Sequence, residues 1–124
     1  MMHDSPKRAV RCVRLATEDA PALSSLESRC FALPWTEQAF AEAFAGKTFH
    51  AFGIRETASP LSPRELAGYI AVYHTPDEVE ILNIAVREDR RRHGYGRLLM
   101  ATALQDAKET GILQGVLEVR ISNA

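Results

Sequence analysis

The sequence has few cysteines, no long apolar run and no excess of charge of one sign. Cys12 and Cys30 are the two cysteines in 124 residues. Two are too few for a disulfide framework, and no Cys/His spacing is typical of zinc, so we expect reduced thiols and no metal. No apolar run approaches the roughly 18 residues of a membrane span, and the N-terminal MMHDSPKRAVR lacks a signal-peptide core. These absences predict a cytoplasmic protein that has no membrane partner.

The charges of the chain are balanced. Lys and Arg number 15 and Asp and Glu number 16, which gives a net charge of -1. Domains that bind nucleic acid generally carry a clear basic excess, so we expect no direct nucleic-acid partner. An anionic ligand would have to be held by a local feature. A chain of 124 residues has the size of a single domain.

The residue patterns predict alternating strands and helices. Period-two alternation marks the strands, and Ser/Thr/Asp caps, Gly stops and 3.6-residue periodicity mark the helices. Thr36 is the predicted cap of the second helix, which Gly46 ends. The predicted elements are, in order, a strand at 10–15, a helix at about 18–30 beginning near Thr17, a helix after Thr36, strands at 48–55, 67–74 and 78–86, a helix at 96–110 and a strand at 116–121.

The order of these elements predicts a mixed α/β sheet. The strands at 48–55 and 67–74 should form an antiparallel pair. The strand at 78–86 is apolar on consecutive positions near its end, as expected for a central strand. A strand, a crossover helix and a last strand imply a parallel pair. A ligand site should then lie beyond the carboxyl end of the strand 78–86.

The stretch 91-RRHGYGRLL-99 concentrates positive charge and glycine at the predicted start of a helix. Gly94 and Gly96 leave the helix-end N–H groups accessible, and such groups bind phosphate. The stretch is not a Walker loop, because Gly-Lys-Ser/Thr is missing, and it is not a dinucleotide fingerprint, because the third glycine of GxGxxG is replaced by Leu99. The alternatives are a pyrophosphate site, a solvated basic turn partly neutralised by Glu88 and Asp89, and a nucleic-acid contact.

The segment from Arg91 to Gly96 resembles the Q/R-x-x-G-x-G/A motif of the GNAT acetyltransferases. The segments 81-ILNIAV-86 and 117-LEVRISNA-124, and the apolar loop ending Pro34-Trp35-Thr36-Glu37, are similar to the RimI-type branch of that family. The resemblance runs from about residue 10 to the end of the chain. It implies a GNAT fold with a central splayed parallel strand pair. It also implies acetylation of a protein N terminus, such as the N-terminal alanine of a ribosomal protein.

The same resemblance implies acetyl-CoA as co-substrate. The segment 91–96 is called the arginine-glycine turn below. The pyrophosphate of acetyl-CoA would lie on the N–H groups of this turn, and its pantetheine arm would lie along the end of the strand 78–86. Asn123 is either a contact to this arm or, with Ser122, a polar cap for a following helix. The implied cofactor-binding residues are Ile84, Ala85, Val86, Arg91, Arg92, His93, Gly94, Tyr95, Gly96, Arg97 and Asn123.

Glu118 stands where RimI-like enzymes place their general base. Alternation with Leu117 and Val119 alone favours a water-facing side chain, since Glu is usually exposed. Glu80 is the reserve candidate, because other branches take the base from the preceding strand. Leu33, Pro34 and Trp35 either line the peptide entrance or form a hydrophobic staple for the second helix.

The chain departs from the RimI pattern at its end. RimI-like proteins continue beyond Ala124 with a helix that carries the tyrosine expected to protonate the leaving thiolate. We therefore expect a C-terminally incomplete domain, with residues 1–8 flexible, weak turnover, and possible self-association through an exposed last strand. The alternative functions are a catalytically impaired acetyl-CoA-binding or partner-binding module, and an RNA-contacting factor. The arginines that the RNA-contacting alternative would use are Arg87, Arg90, Arg91, Arg92 and Arg97.

Overall fold

The part of the chain that the structure describes is a mixed α/β structure in which three α-helices pack on one sheet. The computed structural model describes residues 9–57, 59–76, 78–111, 114–116 and 120–121, the last two stretches by their backbone alone. The elements are β1 (Ala9–Arg14), α1 (Ala20–Cys30), α2 (Glu37–Ala45), β2 (Phe49–Thr57), β3 (Gly68–His74), β4 (Glu78–Val86), α3 (Tyr95–Glu109), β5 (Gln114–Val116) and β6 (Arg120–Ile121). The predicted order of elements is confirmed, except that two short strands, β5 and β6, stand where one last strand was predicted at 116–121. None of the helices in this described part is long and apolar enough to span a membrane.

The two predicted helix starts have different outcomes. The Thr36 hydroxyl accepts the backbone N–H of Ala39 at 3.0 Å and caps α2, as predicted. The start of α1 was predicted wrongly, because residues 17–19 form a 3-10 turn and the α-helix begins at Ala20. Here the Asp19 carboxylate reaches back to accept the backbone N–H of Ala16 at 2.8 Å. The carboxylate of Asp19, rather than the hydroxyl of Thr17, therefore makes the capping hydrogen bond at the start of this helical segment.

The sheet is antiparallel over its first four strands and parallel after that. The order β1-β2-β3-β4 is antiparallel throughout, which confirms the predicted pairing of the strands before and after the loop at 58–67. Both β5 and β6 pair with β4 in parallel, as the strand-helix-strand pattern predicts. β4 therefore has neighbours on both sides, and α3 begins beyond its carboxyl end.

A β-bulge interrupts β4 at Leu82. Ile81 pairs with Val72 and Asn83 with Ala71, so two β4 steps match one step of β3. The register on the parallel side also shifts by one residue between β5 and β6. The bulge places consecutive residues, Leu82 and Asn83, on the same face of the sheet. Bulges of this kind redirect side chains and are common beside active sites.

The two faces of the sheet carry separate cores. Ile81, Ile84 and Val86 of β4 pack toward α3, whereas Leu82 and Ala85 pack toward α1 and α2. The α3 face is mainly aliphatic, and the α1/α2 face holds a cluster of aromatic rings. Its rings belong to Trp35, Phe40, Phe44, Phe49, Tyr69 and Tyr73.

Candidate cofactor and peptide sites

The first turn of α3 has the geometry of an anion site. Gly94 occupies the N-cap position with φ 80° and ψ 10°, and no side chain caps the helix. A Cβ atom placed on Gly94 or Gly96 would meet no atom within 4 Å. The N–H groups of a first turn have no partner within their helix, and the helix dipole adds partial positive charge. The start of α3 is thus open from outside and fits a phosphate group.

The backbone that leads into α3 is strained at Arg92. Its φ is 69°, and it is the single non-glycine residue with positive φ in the described part of the chain. The Cβ atom disfavours this conformation in every residue except glycine, and such strain is often found at functional sites. With Gly94, two positive φ angles lie in three residues and curl the turn before the helix.

Two of the nearby arginines are buried in ion pairs. Arg87 is 9% exposed and Arg90 is 6% exposed. The Arg87 guanidinium donates to both carboxylate oxygens of Asp89 at 3.0 Å and to Glu65 at 3.3 Å. The hydrogen bonds from Arg87 to Asp89 hold the pKa of Asp89 below its usual range, and the same bonds raise the pKa of Arg87. Asp89 pairs with Arg87 and, at 3.5 Å, with Arg90, so the neutralisation expected from Asp89 reaches the first arginine of 90-RRR-92 and not the exposed Arg92 and Arg97.

Arg90 forms an ion pair with a carboxylate on β2. Its Nε lies 2.9 Å and 3.1 Å from the two oxygens of Glu56 on β2. The same carboxylate accepts the hydroxyl groups of Ser59 and Tyr95, each at 2.5 Å. Burial alone raises the pKa of Glu56, but the bonds from Arg90, Ser59 and Tyr95 outweigh it and hold the pKa below its ordinary value. Glu56 is therefore ionised and holds residues on either side of the arginine-glycine turn.

Arg91, the first residue of the arginine-glycine turn, is hydrogen-bonded to the end of β4. Its Nε donates to the Val86 carbonyl at 3.2 Å, and the Cys30 thiol approaches the same carbonyl at 3.7 Å. Burial raises the pKa of Cys30, which keeps it a neutral thiol. Cys12 and Cys30 are both half-buried free cysteines.

Arg92 and Arg97 differ from the buried arginines. Both are exposed, and neither forms an ion pair with any residue that the structure describes. His93 is also exposed, and its Nδ1 lies 3.0 Å and 2.9 Å from the carbonyls of Arg90 and Arg91. Arg92 and Arg97 are consequently available to a ligand at the start of α3. An RNA surface made of all five arginines is not formed, because Arg87 and Arg90 face inward.

The segment before α2 packs against the aromatic cluster. The Trp35 ring lies 5.2 Å from the Phe40 ring and 6.2 Å from the Phe49 ring, measured between centroids. Trp35 precedes the Thr36 cap and Phe40 is the fourth helical residue, which is the geometry of a hydrophobic staple. Leu33 is 86% exposed and Pro34 is also exposed. Trp35 therefore anchors a loop whose outer residues face solvent.

A buried carboxylate holds this loop from below. Glu27 of α1 is fully buried and accepts the backbone N–H of Trp35 at 3.1 Å. The Tyr69 hydroxyl of β3 donates to the other Glu27 oxygen at 2.5 Å and accepts from Asn83 Nδ2 at 3.0 Å. Ser24 adds a bond to the Trp35 carbonyl at 3.3 Å. A continuous hydrogen-bond network joins the α1–α2 loop to the β4 bulge.

The structure leaves part of the predicted site untested. Glu118 and Asn123 lie outside the described residues. The described pairing of β4 with its parallel neighbour ends at Ile84 and Ile121, so the backbone of Ala85 and Val86 lies past the last described pair. No group of three His, Cys, Asp or Glu side chains suited to a metal ion occurs in the described part of the chain.

The sequence did not reveal Glu27 and Glu56. A carboxylate is usually exposed, and their tyrosine partners are 42 and 39 residues away in the chain. The bulge did leave a sequence signal. The break in alternation at Leu82 and Asn83 marks the place where two neighbouring side chains share a face.

Comparison with known proteins identifies the family. Residues 20–124 match the acetyltransferase (GNAT) family. The chain belongs to this family. The predicted fold is thereby confirmed.

Individual relatives agree with this assignment. The chain is 33% identical over 110 residues to the ribosomal protein bS18-alanine N-acetyltransferase of Escherichia coli strain K12, covering 89% of this chain and 70% of the relative. The crystal structure of the ribosomal-protein-S18-alanine N-acetyltransferase from Escherichia coli superimposes with a TM-score of 0.76 at 31% identity, over 94% of this chain and 70% of that one. PaiA N-acetyltransferase from Thermoplasma acidophilum, solved in complex with coenzyme A, shares the fold with a TM-score of 0.73 at 14% identity, over 88% of this chain and 78% of that one.

Proposed function

We propose that this GNAT-family chain transfers an acetyl group from acetyl-CoA to the N-terminal α-amine of a protein, a ribosomal protein with N-terminal alanine being the preferred substrate. The observation that carries the proposal is the uncapped, glycine-lined start of α3. The 33% identity to an alanine N-acetyltransferase over 89% of the chain supports the substrate class.

Acetyl-CoA would be held mainly by backbone groups. Its pyrophosphate would accept the N–H groups of residues 92–97, and Arg92 and Arg97 would supplement them from the exposed side. The pantetheine arm would follow Ile84, Ala85 and Val86, with Asn123 as a further contact. Gly94 and Gly96 fit this assignment because a Cβ at either position would occupy the space outside the turn.

The chemistry requires deprotonation of the amine, displacement of CoA and loss of a second proton from the nitrogen. A peptide α-amine has a pKa of about 7.8, so deprotonating it at pH 7 costs only about 1 kcal/mol, against between 4 and 5 for a lysine. Glu118, directly or through a water, would accept this proton. The neutral nitrogen then attacks the thioester carbonyl, a C–N bond forms, the C–S bond breaks, and CoA leaves as a thiolate. The nitrogen gives up its second proton, and the thiolate takes up a proton to give CoA-SH and the neutral amide. Backbone N–H groups near Ala85 would stabilise the oxyanion.

The α1–α2 loop is the proposed entrance for the peptide. Leu33 and Pro34 are exposed beside the anchored Trp35, so their apolar surface is available to a peptide. The hydrophobic staple and the entrance are compatible roles, because Trp35 performs the first and its neighbours the second.

Mass spectrometry of peptide acetylation tests the proposal. The protein is incubated with acetyl-CoA and a peptide that has a free N-terminal alanine and one internal lysine, and with the same peptide blocked at its N terminus. We expect one added acetyl group on the free peptide and none on the blocked peptide. Acetylation of the blocked peptide would exclude the α-amine assignment.

The Glu118→Gln variant separates catalysis from binding. The variant keeps the side-chain size and removes the base, so we expect the acetylation rate to fall while acetyl-CoA affinity, measured by calorimetry, stays within about twofold. If the wild-type chain binds acetyl-CoA and acetylates no peptide, the protein is a binding module and the enzymatic proposal fails.

A further inference from the structure

Two buried Glu–Tyr pairs lie on opposite faces of the sheet. Glu27 and Tyr69 belong to the α1/α2 face, and Glu56 and Tyr95 to the α3 side. The hydroxyl–carboxylate distance is 2.5 Å in both. Each carboxylate also binds a second, separate segment of the chain, and the mechanism proposed above uses neither of them.

Glu56 holds the arginine-glycine turn at both of its ends. Arg90 immediately precedes the turn and Tyr95 is the first residue of α3, and both donate to the same carboxylate. The intervening residues include the positive φ angles of Arg92 and Gly94. A strained loop is more restricted when its two ends are fixed to one point, because fewer alternative conformations remain. Glu56 therefore limits the movement of the proposed pyrophosphate site.

Glu27 performs the corresponding task for the α1–α2 loop. It receives the Trp35 backbone N–H at 3.1 Å, and through Tyr69 it connects to Asn83 at the β4 bulge. A hydrogen bond in a fully buried place is stronger than one in water. The position of the loop is thus fixed relative to β4 by a side chain that does not line the loop's outer surface.

We propose that Glu56 is a positioning residue for the acetyl-CoA turn and that Glu27 is a positioning residue for the peptide entrance. Each acts through its tyrosine and its second partner, and neither touches a reacting atom. The two halves of the site are therefore tuned independently, one from each face of the sheet. This inference rests on the function proposed above.

The three tyrosines of the chain provide a matched set of variants. Tyr95→Phe and Tyr69→Phe each remove one hydroxyl from a buried carboxylate and keep the ring. Tyr73→Phe is the control, because Tyr73 is half-buried and packs on Phe49 without touching either carboxylate. The measurements are the Kd for acetyl-CoA by calorimetry, the KM for the alanine peptide, and the midpoint of thermal unfolding.

We expect a crossed pattern. Loss of one hydrogen bond corresponds to about a two- to tenfold change. Tyr95→Phe should raise the acetyl-CoA Kd by that factor and leave the peptide KM within about twofold, and Tyr69→Phe should do the reverse. Tyr73→Phe should move neither constant. A general loss of stability would move both constants together in each variant, and that result would overturn the positioning roles.

Two further outcomes are distinguishable. Wild-type protein that neither binds acetyl-CoA nor modifies the peptide contradicts the proposed function itself. Wild-type protein that does both, while its Tyr95→Phe variant retains full acetyl-CoA affinity, contradicts only the role of Glu56. If a variant unfolds at the assay temperature, the corresponding Glu56→Gln or Glu27→Gln variant is measured below its unfolding midpoint, and an unchanged constant there counts against the proposal.

Discussion

Four of the five arginines of the segment 87–97 fall into two groups that differ in environment rather than in sequence context. Arg87 and Arg90 are at most 9% exposed and hold carboxylates. Arg92 and Arg97 are exposed and form no ion pair with the described residues. Arginine therefore has two roles in this segment. The buried arginines stabilise the turn from inside the protein, and the exposed arginines leave positive charge on its surface. Net charge conceals this arrangement, because the inward charges are neutralised within the protein.

The largest expected effect on stability comes from substituting a buried arginine. Arg90→Met leaves Glu56 buried without its cation, which should lower the free energy of unfolding by about 3 to 5 kcal/mol. Urea denaturation measures this change. Arg92→Met is the matched control, and as an exposed substitution it should cost less than about 0.5 kcal/mol. Equal costs for the two variants would contradict the division into two groups. The double variant Glu56→Gln with Arg90→Met should recover part of the loss.

A second variant tests the backbone against the arginines. Gly96→Glu places a carboxylate in the first turn of α3, where it should repel pyrophosphate and weaken acetyl-CoA binding about tenfold or more. Stability should be unchanged or slightly higher, because glycine is a poor helix former and a helix start favours negative charge. Calorimetry measures the affinity. Gly96→Gln is the neutral control and should bind more tightly than Gly96→Glu, and equal affinities would mean that the anion lies elsewhere.

The Glu56–Arg90 pair also predicts a pH dependence. The pKa of Glu56 in the folded protein lies below its ordinary value of 4.5. Its contribution to stability is therefore complete above pH 4.5 and is lost as the pH falls through the folded pKa. His50 and His74 also have lowered pKa values, chiefly through burial, so they remove stability as the pH falls below 6.5.

The contribution of Glu56 is isolated by comparing urea unfolding of wild type and Glu56→Gln across this range. Both proteins contain the histidines, so the difference between their free energies of unfolding reports Glu56. This difference should be constant from pH 6.5 down to 4.5 and shrink below it. A difference that stays constant below pH 4.5 would contradict the ionised pair.

The smallest expected effects come from substituting the exposed arginines, and they are effects on acetyl-CoA affinity. Arg92→Gln and Arg97→Gln should each raise the acetyl-CoA Kd only a few-fold, because exposed ion pairs contribute less than about 1 kcal/mol. The dependence of Kd on salt should decrease in both variants, since fewer screened charges remain. Titrations at two salt concentrations measure this. An effect larger than that of Gly96→Glu would show that the arginines, rather than the backbone, carry the affinity.

Local sequence signals were sufficient for most of the fold. The Thr36 cap, the alternation along the strands and the strand-helix-strand order depend on neighbouring residues, and each was confirmed. The first turn of α1 was predicted wrongly because Asp19 satisfies Ala16 by reaching backward, while it also pairs with Arg55 of a distant strand. A local cap pattern contains no information about that second partner.

The candidate site was less predictable for the same reason. Gly94 and Gly96 indicate an accessible helix start from the sequence alone. Glu56 and Glu27 do not, because their partners belong to other helices, strands and loops that only the folded chain brings near. The division of the arginines was likewise invisible in 90-RRR-92, where the first faces Glu56 and the last faces solvent. The role of Glu118 stays a prediction.

The position of Trp35 has a practical consequence. It is the single tryptophan of the chain, and it lies in the proposed peptide entrance against Phe40 and Phe49. Selectively excited tryptophan emission from this protein therefore originates at one known place. It provides an optical signal, without any added label, from the loop that Glu27 holds, and the opposite half of the site contributes none of that light.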